Sequence, residues 1–193
     1  MSDVRKATTS DLSRLCRTMV LAFADDPVMR WLFPDDTEFF TGNGASVRFL
    51  FWRWMAYDQT FTTDDGVAVA AFIPPGRPDL GTEPERGAPA HTAERIEKFI
   101  ALGALLQEHT PSEPHWYLNL LATHPDWQRQ GLGALVMSPI AHLCDREGLA
   151  MFLETETESN VAYYGHLGFT VRSEWDVPLD GPHMWGMIRQ PRS

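Results

Sequence analysis

The stretch from His115 to Arg146 constrains this chain more than any other. An apolar, aromatic-rich segment, His115 to Thr123, predicts a strand and meets a turn at Pro125-Asp126. Then come Gln128-Arg129-Gln130-Gly131-Leu132-Gly133 and a run with helical periodicity from Gly131 to Arg146, stopped by Gly148. A helix start exposes unpaired N–H groups and a partial positive charge of about 0.5. Glycines at 131 and 133 let a ligand approach the backbone closely, so several amides can converge on a diphosphate. Two familiar phosphate loops are excluded. A dinucleotide fingerprint needs a third glycine where Val136 stands, and a P-loop needs a Gly-Lys-Ser/Thr ending that is absent here.

The remaining pattern alternates strands and helices. Val4 to Ala7 predicts a strand, and Thr8, three residues before Asp11, opens a helix with Leu12, Leu15, Cys16, Met19, Val20 and Phe23 on one face. That helix ends near Asp25-Asp26-Pro27, where Pro27 starts a second, short one that Pro34 stops. A third is expected from about Ser46 to Tyr57. Gln59 to Thr63 and Gly66 to Ile73 predict a hairpin around Asp64-Asp65-Gly66. The segment from Pro74 to Ala90, broken by Pro74, Pro75, Pro78, Pro84 and Pro89, predicts a loop that either lies at a functional rim or is mobile. Thr92 to Glu108 predicts a helix, Leu149 to Thr155 a strand, Asn160 to Leu167 a short helix, and strands follow after Gly168 and over His183 to Ile188. The order is α/β, with hairpins at both ends. It predicts one domain over residues 1–193 with a central mixed sheet flanked by helices.

Charge narrows the function. With 26 acidic against 16 basic residues the formal net charge is −10, which argues against nucleic acid. An acidic surface suits a cationic or amine-bearing substrate, and equally serves solubility. No apolar run is long enough to span a membrane, and Met1-Ser2-Asp3-Val4-Arg5-Lys6 lacks the features of a secretory signal, so a cytoplasmic location is expected. Cys16 and Cys144 read as core thiols, and the seven scattered histidines lead us to expect no metal.

Gln128 to Gly133 fits the pattern Gln/Arg-x-x-Gly-x-Gly/Ala. Upstream, Leu120-Leu121-Ala122-Thr123-His124-Pro125 resembles a cofactor strand with its proline turn. Downstream, Asn160-Val161-Ala162-Tyr163-Tyr164-Gly165-His166-Leu167-Gly168-Phe169 fits Asn…Tyr-x-x-x-Gly-Phe. In these motifs the chain resembles the GNAT N-acetyltransferases, and within them puromycin N-acetyltransferase and its relatives. The latter likeness runs through Ala22-Phe23-Ala24-Asp25, Trp116 to Gly133, Phe152-Leu153-Glu154-Thr155, and Gly181-Pro182 with Trp185, Met187 and Arg189. Residues from about Trp31 to His109 match it poorly.

The resemblance implies a mostly antiparallel mixed sheet, with the cofactor-binding core at 115–170, and acetyl-CoA as cosubstrate without a metal. It implies direct attack of a small-molecule amine, such as an antibiotic or aminonucleoside, on the acetyl thioester. The backbone of Arg129, Gln130, Gly131, Leu132, Gly133 and Ala134, headed by Gln128, would grip the pyrophosphate. The edge of Leu121, Ala122 and Thr123 would pair with the pantetheine arm, with the Leu121 N–H polarising the thioester carbonyl. Tyr164 would protonate the departing thiolate. Glu154, Glu156 and Glu158 are all placed to take the ammonium proton, and the resemblance selects Glu154, acting directly or through water. Asn160 would cap the short helix or bind the pantetheine arm. Asp25 and Asp26 would bind a cationic acceptor or cap the helix at Val28. Among Phe33, Phe39, Phe40, Trp52 and Trp54, one or two would line the acceptor pocket. The resemblance also makes a homodimer an expectation. A peptide-amine acetyltransferase and a non-catalytic acetyl-CoA-binding module remain as alternatives.

Overall fold

A strand that is apolar at every position needs cover on both faces, and Ala68–Ile73 is such a strand. In the computed structural model, which describes residues 3–76 and 90–192, it lies near the middle of a seven-stranded sheet. In chain order the elements are β1 (Val4–Lys6), α1 (Leu12–Ala22), α2 (Pro27–Leu32), α3 (Asp36–Glu38), α4 (Gly44–Met55), β2 (Thr60–Thr63) and β3 (Ala68–Ile73). Then follow α5 (Ala93–His109), β4 (His115–Thr123), α6 (Leu132–Glu147), β5 (Ala150–Thr155), α7 (Glu158–His166), β6 (Thr170–Asp176) and β7 (His183–Arg189). The strand order is β1-β2-β3-β4-β5-β7-β6, and only the β4–β5 pair is parallel. This is the mixed, mostly antiparallel sheet expected, with hairpins on both sides. Of the loop expected at 74–90, residues 77–89 lie outside the described residues.

Alternation along β3 divides the core. Ala68, Ala70 and Phe72 pack with Val136, Met137, Ile140 and Cys144 of α6, whereas Val69 and Ala71 pack with α1 and α4 through Leu15, Met19, Phe51 and Trp54. β4 breaks the same rule. Trp116 and Leu118 face α6, yet Leu120 and Ala122, of the same parity, face α1 and α4. A β-bulge is responsible: the register with β3 shifts between Ala71↔Leu120 and Phe72↔Leu118, leaving Asn119 as the extra residue. One inserted residue exchanges the faces of everything that follows.

Several helix boundaries differ from expectation because capping chemistry outranks periodicity. Thr8 and Asp11 do form a capping box, with the Thr8 N–H donating to Asp11 Oδ2 at 2.9 Å, but it heads a 3-10 turn before α1. α3 and the π-helical turn Phe39–Asn43 carry no apolar period that would announce them. Within α6, Pro139 cannot donate to the Leu135 carbonyl, and the Ser138 hydroxyl does so instead at 2.8 Å. Cys144 is buried in the core as expected, while Cys16 is only half-buried. Among the described residues no helix is long and apolar enough to cross a membrane.

Candidate active site

β4 and β5 pair only over His115–Tyr117 and Ala150–Phe152. Beyond that point β4 continues beside β3 and β5 beside β7, so the two strands part and a gap opens at the centre of the sheet. The His124 N–H donates to the Val67 carbonyl at 2.8 Å, toward β3. Antiparallel alternation then turns the amides of Ala122 toward β3, and those of Leu121 and Thr123 toward the gap. Gln128 Nε2 reaches the Thr123 carbonyl from that side at 3.2 Å. An extended chain bearing amides could add there as a strand would.

α6 begins beside β4, where a Cβ on Gly133 would stand 3.6 Å from the Leu121 side chain. Arg129 and Gly131 both take positive φ, 59° and 80°, which folds the turn into the helix tightly. The first ladder bond of α6 runs from the Leu135 N–H to the Gly131 carbonyl at 3.0 Å, so the amides of Leu132, Gly133 and Ala134 precede it. The side chains of Gln128, Arg129 and Gln130 are exposed. Gly133 has a second reason to be glycine: a Cβ there would stand 2.6 Å from the Tyr163 hydroxyl.

α7 supplies the opposite wall. Its N-cap is Thr157, whose hydroxyl accepts from the Asn160 N–H at 3.2 Å. Asn160 therefore does not cap the helix, and its side-chain Nδ2 donates to Glu156 Oε1 at 3.4 Å. Tyr164 is 9% exposed and packs edge-on against Phe169 and Tyr163. Burial, with the nearby Glu156 and Tyr163 adding to it, holds its phenol above the ordinary range, so the group stays protonated.

Two acidic arrangements meet between these walls. Glu154, just past the parting of the strands, accepts a 2.6 Å hydrogen bond from the Tyr117 hydroxyl. Glu156 and Asp26 are hydrogen-bonded to each other, and Asp26 Oδ1 also caps α2 by accepting from the Met29 N–H at 2.8 Å. Burial and then the Asp26 charge push Glu156 up to about 9, and burial raises Asp26 as well, so the pair shares a proton. All four residues, with Asp25, Leu121, Ala122, Thr123, Gln128, Asn160 and Tyr164, line one cavity of about 660 Å³. Of the aromatic residues considered for its wall, Trp54 lies there. Phe33 and Phe39 are fully buried in the core, and Phe40 is exposed. Residue pattern missed the Asp26–Glu156 pair because its members lie 130 positions apart on different elements.

The parted strands, the helix start and the β4, β5 and α7 side of the cavity lie in the part of the chain, residues 46–169, that matches the sequence profile of the acetyltransferase (GNAT) family. The chain belongs to this family. An uncharacterised N-acetyltransferase of Schizosaccharomyces pombe is 32% identical over 85 residues, which make up 40% of this chain and 32% of that protein. The match thus spans about a third of that relative's length. Among solved GNAT-like structures, the histone acetyltransferase HPA2 and related acetyltransferase of Corynebacterium glutamicum superposes with a TM-score of 0.67 at 22% identity, over 100% of this chain and 98% of that one. The arylalkylamine N-acetyltransferase 2 of Aedes aegypti gives 0.63 at 11% identity, over 98% and 99%. At such identities the likeness establishes the shared fold.

Proposed function

We propose that this GNAT-family chain is an N-acetyltransferase that moves the acetyl group of acetyl-CoA to the amine of a small molecule. What carries the reading is one cavity lined by Leu121, Thr123 and the Tyr164 side chain, with the open start of α6 beside it, where Gly133 neighbours the Leu121 side chain. The amides of Leu132, Gly133 and Ala134 would hold the donor's diphosphate, with the positive φ of Arg129 and Gly131 aiming them. The gap edge of β4 would pair with the pantetheine arm.

In the proposed reaction the acceptor nitrogen attacks the acetyl carbon while the C–S bond breaks. The Leu121 N–H donates to the carbonyl oxygen as charge develops there. Tyr164 gives its proton to the departing sulfur. Glu154 takes the proton that the ammonium must lose, directly or through water, and Tyr117 holds that carboxylate in place. A small acceptor is favoured by the residues around the cavity, where side chains of α2 and α5 line the same space as the gap edge of β4. The two solved relatives are named for different acceptors, a histone and arylalkylamines, so the cavity rather than the likeness supports this choice.

The test is thiol release from acetyl-CoA with a panel of arylalkylamines, polyamines, aminonucleosides and lysine-bearing peptides. Turnover confined to small amines is expected. Tight acetyl-CoA binding with no turnover on any amine would refute the catalytic reading, and peptide-only turnover would replace the acceptor class.

A further inference from the structure

Carboxylates with little exposure elsewhere in this protein are answered by arginine. Asp11 receives Arg5 and Arg14 at 2.8 Å, and Asp145 receives Arg189 at 2.8 Å. Asp26 and Glu156 are half-buried and answer each other instead. Every charged side chain lining their cavity, Asp25, Asp26, Glu154 and Glu156, is acidic, and no lysine, arginine or histidine is among the described residues there. Two carboxyls sharing one proton keep one negative charge, and in a low-dielectric pocket such a charge calls for a cation.

A second observation is independent of the acidic groups. The Tyr164 hydroxyl belongs to a side chain that is 9% exposed, lines this cavity and makes no hydrogen bond among the described residues. Without a partner in the described protein, this hydroxyl is left to meet a molecule in the cavity. The part of the wall formed by α2, α5 and β7 is apolar, with Met29, Leu32, Phe99, Leu102, Leu106 and Met184.

Resting on the transferase reading, we infer that the hydrogen-bonded Asp26–Glu156 pair is the subsite for the acceptor's ammonium group. The acceptor is then a primary amine carrying a compact apolar body, seated against α2 and α5. Asp26 serves twice, since one oxygen fixes the start of α2 while its carboxyl joins the pair that reads the cation.

The experiment is calorimetric titration of the full chain, without acyl donor, using phenethylamine and its neutral isostere 2-phenylethanol. Wild type should bind the amine about tenfold more tightly than the alcohol. Either Asp26→Asn or Glu156→Gln should keep that preference within about threefold, because each leaves one carboxylate and supplies an amide in place of the shared proton. The double variant should lose the preference. Asparagine caps helices as aspartate does, which protects α2. Should the double variant melt early, Asp26→Ser with Glu156→Gln serves instead, since serine also caps. No preference in wild type, or a preference kept by the double variant, overturns the subsite. Thiol release from acetyl-CoA with phenethylamine, run in parallel, separates the two readings. Selective binding without turnover would sink acetyl transfer and keep the subsite. Turnover with an unchanged KM for the amine in the double variant would do the reverse.

Discussion

The Tyr117 hydroxyl donates to Glu154 Oε2 at 2.6 Å, bridging β4 and β5 at the place where they separate. Tyr117 belongs to the last paired position, opposite Phe152, and Glu154 is two residues further along β5 on the same face. The carboxylate proposed to take the ammonium proton is thereby anchored to the paired part of the two strands. Glu154→Gln should lower kcat by about 10²-fold or more. Tyr117→Phe, which removes only the anchoring hydroxyl, should lower it by about tenfold, in line with the loss of one hydrogen bond to a charged group. Acetyl-CoA affinity should hold in both. Steady-state kinetics decide it, and an unimpaired Glu154→Gln would pass the proton to water alone.

Tyr164 offers a sharper test because its hydroxyl is buried and stays protonated. Tyr164→Phe keeps the ring that packs against Phe169 and removes only the donor. Turnover should fall by about 10²-fold with melting temperature and acetyl-CoA affinity nearly unchanged. Equal turnover in the variant would remove Tyr164 from the chemistry.

Gly133 is squeezed by the protein itself, apart from its proposed place against the donor's diphosphate. A Cβ at this position would meet the Tyr163 hydroxyl at 2.6 Å. Gly133→Ala should weaken acetyl-CoA binding by about tenfold, and adding Tyr163→Phe should recover most of the loss by removing the atom in the way. Gly133→Glu should abolish binding in either background, since its charge would face the phosphates. Fluorescence or calorimetric titration with acetyl-CoA reads both effects. If Tyr163→Phe recovers nothing, the ligand alone forbids a side chain at 133.

Acid should loosen the far end of α6. The Arg189 guanidinium, followed by the Arg192 N–H, holds the Asp145 carboxyl down at about 2, below its ordinary 3.8. A depressed folded value means that this stabilisation is complete above pH 3.8 and is lost as pH falls through about 2. Asp145→Asn should cost about 2 kcal/mol near neutrality. It should also flatten the stability curve between those two pH values, as denaturant unfolding across acid buffers would reveal. A variant with the same acid slope as wild type would refute the assignment.

Much of this protein was legible in its residues, and for identifiable reasons. Gly131 and Gly133 after an apolar strand announce a tight turn into a helix because few other residues permit one, and Asn160 with Tyr164 extended the match to a family. The strands of the sheet follow from local pattern in the same way. The bulge at Asn119 had no such signal, since nothing in its neighbours marks an inserted residue, and yet it exchanges the faces of Leu120 to Thr123. Thr157 took the cap expected of Asn160 because the cap is decided by where the helix starts, three residues earlier.

Sequence alone determined the strands, the longer helices, the class of the fold and the turn that opens α6, because each depends on residues close together in the chain. Tertiary structure decided the rest. How far β4 and β5 pair before parting depends on the bulge and on neighbours drawn from elsewhere in the chain. Whether Asp26 meets an arginine or Glu156 depends on the packing of α2 against the end of β5. These are energies of contact between distant segments, and no local pattern records them.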